Sequence, residues 1–274
     1  RFIKENKDRP FFLNTGFYAP HPPLMPPQDS FALYNDKEIK PRIFREGELK
    51  NMPEMYKKIA DRVERPEEEW ETYRRYFYAM VSDVDRNVGR MIDTLEQEGI
   101  RDETLILFTS DHGDYLGDHG LVNKGHPCYR QVLNVPLVIT GPDIPEKRVC
   151  SEIVELTDIM PTVISLCNAQ IPKGVQGIDL SGVISDQEPG RDSAYTEFYD
   201  KEGESVRILT TKNAKYAYHS TGEEVLFDLG EDPDEFVNRA NHPDSAELLS
   251  EMRQQMLLRT MQEVDPLPVR TDWY

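Results

Sequence analysis

A chain of 274 residues with 30% charged side chains and a formal net charge of -18 can bury a substantial core, and its composition is neither fibrous nor disordered. The 32 Lys and Arg stand against 50 Asp and Glu with no basic block, which argues against a nucleic-acid backbone as partner. No apolar run is long enough to span a bilayer as a helix, and the sparse cysteines Cys128, Cys150 and Cys167 make no disulfide framework and leave periplasmic, secreted and cytoplasmic locations all open.

The opening RFIKENKDRP reads as the tail of an amphipathic helix stopped at Pro10, as though the sequence starts in mid-fold. Phe11 to Tyr18 (FFLNTGFY) is short, aromatic and flanked by prolines, and is expected to be a buried strand. APHPPLMPP breaks regular structure, with His21 at the head of a rigid loop. Loops and short helices are expected as far as Pro66. A long helix then starts at Pro66 and the acids Glu67, Glu68 and Glu69, which suit the positive end of its dipole. Its apolar stripe runs through Trp70, Tyr73, Phe77, Val81, Val84, Val88, Met91 and Leu95 to a stop at Gly99.

Thr104 to Thr109 and Val135 to Thr140 read as buried strands, and Thr157 to Leu166 as a helix capped by Thr157 or Asp158. Helix, strand and a polar glycine-bearing loop follow the order of a doubly wound sheet, in which functional groups gather at the carboxyl ends of strands. The larger part of the fold is expected to span residues 1–192. Residues 193–274 change texture: SAYTEFY, SVRILTT, AKYAYHS and EVLFDL predict an antiparallel meander turning at Lys212-Asn213 and Thr221-Gly222. A last helix, Ala246 to Glu263, presents Leu248, Leu249, Met252, Met256, Leu257 and Met261, followed by an aromatic tail with Trp273 and Tyr274.

The chemistry concentrates in TSDHGDYLGDHGLVNK, Thr109 to Lys124. Asp111 and His112 leave a strand end side by side, where a carboxylate and an imidazole can share a divalent cation, although a capped turn would use the same residues. Asp114, Asp118 and His119 are near in sequence, but LGDHG has the glycine spacing of a surface turn and reads as structural. Lys124 is either solvated or set to hold an anion beside the cation. His21, between two prolines, is either a loop histidine bonded to a carbonyl or an acid for a leaving alcohol. His126, His219 and His242 read as structural or solvent-facing, with His219, Arg207 and Tyr218 as conceivable substrate contacts.

FYAPHPPLMPP, YFYAMVSDVDRNVGRMIDTLEQEGI, TLILFTSDHGDYLGDHGLVNK, NVPLVIT, TDIMPTVISL and EEVLFDLGEDPDEFVNRA, taken in order, resemble the type I sulfatases of the alkaline phosphatase superfamily, nearest the iduronate-sulfatase-like branch. The resemblance implies an α/β alkaline-phosphatase-like sandwich with a central, mostly parallel sheet, plus a small C-terminal subdomain of antiparallel sheet and helix. It implies that Asp111 and His112 are metal ligands, usually for calcium; because other members often carry asparagine at His112, magnesium or manganese also fits. Lys124 matches the sulfate-binding lysine and His21 the histidine beside the ester oxygen. The family nucleophile is a formylglycine made from Cys or Ser in a Cys-x-Pro-x-Arg motif, and none of the three cysteines here stands in one. The nucleophile and further aspartate ligands are therefore expected in an N-terminal remainder of the same polypeptide, this chain being the C-terminal part and inactive alone. The implied substrate is a sulfated small molecule or glycan. A phosphonate monoester or phosphodiester hydrolase of the same superfamily, or a non-catalytic binding module, are the alternatives.

Overall fold

The computed structural model of the chain describes residues 1–63, 65–200 and 203–262. Eight helices are named: α1 (Phe2–Asn6), α2 (Gln28–Ala32), α3 (Glu54–Arg62), α4 (Glu67–Gln97), α5 (Arg130–Leu133), α6 (Ile159–Leu166), α7 (Ser181–Ile184) and α8 (Ala246–Gln262). Six strands accompany them: β1 (Ile106–Thr109), β2 (Leu137–Thr140), β3 (Ser193–Tyr199), β4 (Ser205–Thr211), β5 (Ala214–His219) and β6 (Glu224–Asp228). None of the described helices is both long and apolar enough to cross a membrane.

The long helix forms as expected. Pro66 precedes it, three glutamates occupy the first turn, and Gly99, at φ 72°, turns the chain away beyond its end. Trp70, Ala79, Met80 and Leu95 are buried, but Val81, in the middle of the stripe, is 44% exposed. The segment Phe11 to Tyr18 overturns its expectation. It forms no strand, and Phe12 and Tyr18 are 80% and 69% exposed. Aromatic content favours an extended chain, but a strand also needs a neighbour to take its N–H and C=O groups, and no described segment pairs with this one.

β1 and β2 pair antiparallel, with Thr109 opposite Leu137, so the parallel pairings expected of a larger sheet are not among the described residues. The turn before α6 is capped by Glu155 rather than by Thr157 or Asp158. Glu155 and Asp158 form a reciprocal capping box, with the Glu155 N–H donating to Asp158 Oδ2 at 2.8 Å. Asp158 is fully buried, and the Arg191 guanidinium, donating from Nε at 3.1 Å and from Nη2, neutralises it. A cap residue with an arginine partner so far along the chain has no local signature.

β3 to β6 form the expected meander, in sheet order. α8 packs Leu249, Met252 and Met256 against Leu209, Ala214, Tyr216 and Leu226 of this sheet. Leu257 and Met261, expected on that apolar face, are exposed instead, because the spacing 249, 252, 256 turns them away from it. Glu263, Trp273 and Tyr274 lie outside the described residues. The opposite face of the sheet, through Val206, Ile208, Ala217, Val225 and Phe227, shares one buried cluster with Met52, Tyr56, Tyr115, Leu121, Cys128, Tyr129 and Val132. Burying each large apolar side chain of this kind contributes about 1.5–3 kcal/mol. The cluster thus holds the segment carrying Lys124 against the C-terminal sheet.

Candidate active site

At the end of β1 the chain turns through Ser110, whose hydroxyl donates to the His112 carbonyl at 2.9 Å. Asp111 Oδ1 accepts the His112 N–H at 3.0 Å, and the other carboxylate oxygen, on a side chain 86% exposed, lies 3.7 Å from His112 Nε2. His112 Nδ1 is 2.8 Å from the Gly113 carbonyl. A carbonyl only accepts, so Nδ1 carries the hydrogen and Nε2 keeps its lone pair beside the carboxylate. Partial burial acts to raise the Asp111 carboxyl, but the charge that His112 carries when protonated and its backbone N–H, with a contribution from Lys124, hold it below its ordinary range. With the ring neutral, the pair is an anionic oxygen and an imidazole lone pair side by side, which is the donor set a divalent cation takes in exchange for the imidazole proton.

Gly113 sets the bend. Its N–H donates to the Val132 carbonyl at 2.9 Å, and a Cβ built on it would stand 1.9 Å from the Gln131 carbonyl oxygen. Gly113→Ala is expected to push the Asp111 to Asp114 loop off α5 and to cost about 1–3 kcal/mol. Thermal unfolding together with divalent-cation titration checks this: a variant with unchanged melting and unchanged metal affinity would contradict it.

Asp114 is where the surrounding elements meet. Its Oδ1 accepts the Leu116 N–H at 2.9 Å. Burial raises its carboxyl, while the Leu116 and Asn123 amides and the charges of His112 and His21 act in the opposite direction. Both histidines are thus within electrostatic reach of one carboxylate, which brings the proline loop to the strand-end loop. Tyr73 on α4 joins them: burial and the Asp114 charge push its hydroxyl up to about 12, opposed by Arg65. His21 itself is exposed, with Nδ1 2.8 Å from the Pro22 carbonyl and its ring 4.8 Å from that of Tyr18. Lys124 is exposed directly after Asn123, whose carbonyl accepts the Tyr115 N–H at 3.0 Å, so the loop folds back and brings the ammonium into the field of Asp111.

The LGDHG segment is buried, contrary to its expected surface position. Asp118 takes the Ile43 N–H at 2.9 Å, Arg74 at 3.3 Å and Gln131 at 3.1 Å. His119 bonds Glu48 at 2.8 Å and stacks on Tyr129 with ring centroids 4.0 Å apart. Gly117, at φ 90°, lies so close to the Trp70 ring that a Cβ would stand 2.7 Å from it. Their role is structural, as expected, but they work in the interior.

His242 is half-exposed near Asp244, as expected. Arg207 pairs with Glu197 at 2.9 Å and is the cross-strand partner of Tyr218. His219 is fully buried against Tyr56, which removes it from contact with a substrate. Burial, with a smaller contribution from His126, lowers its pKa to about 4. Unfolded, it titrates near its ordinary 6.5, so between pH 6.5 and 4 the unfolded chain binds the extra proton and stability falls on acidification, by on the order of 3 kcal/mol in all. His219→Leu is expected to flatten that part of the stability profile; urea unfolding at pH 7 and pH 4.5 measures it, and an unchanged slope would contradict the assignment.

Among the described residues, the one group of three clustered ligand-type side chains is His126, Asp200 and Glu204, with His126 Nε2 3.6 Å from Asp200 Oδ2. It does not include Asp111 or His112. Cys128 is buried, and burial pushes its thiol up to about 12, so it is no nucleophile.

Comparison with known proteins gives the family and the fold. The sulfatase family profile matches residues 1–169, and one described as N-sulphoglucosamine sulphohydrolase, C-terminal, matches residues 117–262. An arylsulfatase of Clostridium perfringens is 31% identical over 257 residues, 91% of this chain and 53% of that protein. A multifunctional alkaline phosphatase superfamily protein of Trinickia caryophylli is 29% identical, over 96% of this chain and 58% of its own length. The chain thus spans about half the length of the curated relatives it matches. A phosphonate monoester hydrolase from Silicibacter pomeroyi superposes with a TM-score of 0.82 at 26% identity, over 90% of this chain and 55% of its own. A structure solved with its substrate D-glucosamine-2-N,6-O-disulfate superposes at 0.69, again at 26% identity, over 79% of this chain and 46% of its own. The alkaline-phosphatase-like α/β fold with its small C-terminal antiparallel sheet and helix is that of these neighbours, and the chain belongs to the sulfatase family.

Proposed function

We propose that this chain supplies one wall of the active site of a sulfate ester hydrolase acting on a sulfated sugar or other sulfated small molecule, and that the remaining wall comes from a preceding segment of the same polypeptide. The observation that carries the reading is the paired donor set at the β1 end: His112 Nε2, freed by the Nδ1 bond to Gly113, stands 3.7 Å from an ionised Asp111 oxygen, and Lys124 acts on the same carboxylate. Asp111 and His112 would hold a divalent cation, calcium or, given the imidazole, magnesium or manganese. When bound, that cation offsets charge on the transferring sulfate and activates the nucleophile. Two ligands are fewer than the roughly six to eight such ions take, which fits a shell shared with a second segment.

Lys124 places an ammonium where the sulfate oxygens gain charge. His21 has Nδ1 engaged by the Pro22 carbonyl, so Nε2 is the atom that holds or delivers a proton to the departing alcohol. The nucleophile is expected to be a formylglycine in the preceding segment. Peptide mapping of the complete gene product for a Cys or Ser converted to formylglycine, with turnover of 4-nitrophenyl sulfate, tests this reading. Absence of both the modified residue and sulfate release would reject it.

A second reading, a phosphonate monoester or phosphodiester hydrolase, is favoured by the 0.82 superposition on a phosphonate monoester hydrolase. Comparing kcat/KM on phenyl phosphonate and 4-nitrophenyl sulfate separates the two.

A further inference from the structure

Beside the His21 loop lies an open cleft of about 450 Å³, within the roughly 300–1,000 Å³ of ligand pockets. Pro22 and Leu24, directly after His21, line it, together with Arg65, Thr72, Tyr73 and Tyr76 on and just before the first turns of α4. Tyr73 lies in the field of Asp114, which is itself in the field of His21 and His112. Because Pro22, the residue after His21, lines the cleft, a group in it lies beside the loop that carries the histidine assigned above to the leaving alcohol.

The lining has a definite chemistry. Two tyrosine rings, a proline and a leucine present apolar surface and hydroxyls suited to the face of a sugar ring. Arg65 brings a cation, its guanidinium 5.0 Å from the Trp70 ring centroid and 5.6 Å from that of Tyr73. Aromatic neighbours on this scale hold a guanidinium in orientation without neutralising it, so its planar fork stays directed for a carboxylate or sulfate. Glu69 also lines the cleft and disfavours a densely charged ligand, while accepting hydrogen bonds from hydroxyls.

We propose that this cleft binds the alcohol part of the substrate as a sugar ring bearing a further anionic group, a carboxylate or a second sulfate, and that Arg65 reads that group. The proposal rests on the sulfate-ester reading for the placement of the scissile bond.

The test is binding of two sugars by calorimetry to the complete polypeptide with its nucleophilic Cys or Ser replaced by Ala: glucosamine-2-N,6-O-disulfate, which carries a second anion, and N-acetylglucosamine 6-sulfate, which does not. A charge-assisted contact is worth about 1.5–3 kcal/mol, so Arg65→Ala is expected to weaken the disulfate about 10- to 100-fold and the monosulfate less than about 2-fold. Arg65→Lys, which keeps the charge but not the fork, is expected to fall between, with melting of both variants as the folding control. Equal losses for the two sugars, no loss for either, or no binding of either by the complete polypeptide with Arg65 intact overturns the proposal. Failure of the sulfatase reading would show separately, as intact sulfate esters after incubation with the complete polypeptide, whatever the Arg65 variants do in binding.

Discussion

Replacing Lys215 with methionine is expected to lower the unfolding free energy by about 3–5 kcal/mol, the cost of leaving a buried charge without its partner. Lys215 on β5 and Glu235 are both almost wholly buried, and the ammonium contacts Glu235 Oε1 directly. Glu235 Oε2 meanwhile accepts the Arg130 N–H at 2.7 Å, at the start of α5. The single substitution strands a carboxylate in the interior, where it must either stay unpaired or take up a proton. Lys215→Met combined with Glu235→Gln keeps an acceptor for Arg130 and removes the charge, and is expected to recover a large part of the loss. Urea unfolding of the two variants measures the difference. A single variant within about 1 kcal/mol of the parent would show that the pair is not buried as described.

Lys124→Ala in the complete polypeptide is expected to lower kcat on a sulfate ester about 10²- to 10³-fold, the usual cost of removing one group aimed at developing charge. Lys124 is exposed in this chain, so melting should not move by more than about 1 kcal/mol equivalent, as for most surface substitutions. Metal affinity should hardly change either, because Asp111 and His112 keep their own bonds. His112→Ala is the contrasting case, in which metal affinity and kcat fall together. If Lys124→Ala raised KM alone with kcat intact, the ammonium would serve binding of the ester and not the chemical step.

Much of this arrangement is legible in the sequence because it is local. α4 follows from a 3.6-residue stripe with acids at one end and glycine at the other. The meander follows from β-rich runs separated by turn pairs, and the Asp111-His112 corner from an apolar run that stops at a polar, glycine-bearing loop. What escaped is fixed by residues far away in the chain. Asp118 and His119 read as a surface turn because nothing near them announces Arg74, Glu48 or Ile43, which satisfy them in the interior. Glu155 takes the cap with Asp158 answering it from the third position, and the Arg191 that neutralises Asp158 is more than thirty residues away. His219 lies in a segment whose period marks a strand but not how deeply its end is covered, and Tyr56, which covers it, is more than a hundred residues away. Phe11 to Tyr18 has the composition of a strand, but composition does not supply the neighbour. Asp114 lies in the electrostatic reach of both His112 and His21, a proximity made by two loops far apart in the chain and announced by nothing beside it in sequence.

The buried cluster joining Tyr115, Leu121, Cys128 and Tyr129 to Val206, Ile208, Val225 and Phe227 bears on how such a protein can be recombined. The meander is no cassette that can be exchanged between relatives at a convenient linker. A chimera cut near residue 192 would join the underside of one sheet to the Lys124 segment of another parent, and mismatched shapes there would be felt first as misplacement of the ammonium. Exchanges that carry residues 49–60 and 115–133 along with the meander keep that seam intact. Libraries built on this seam should retain folded members where those cut at the linker lose them.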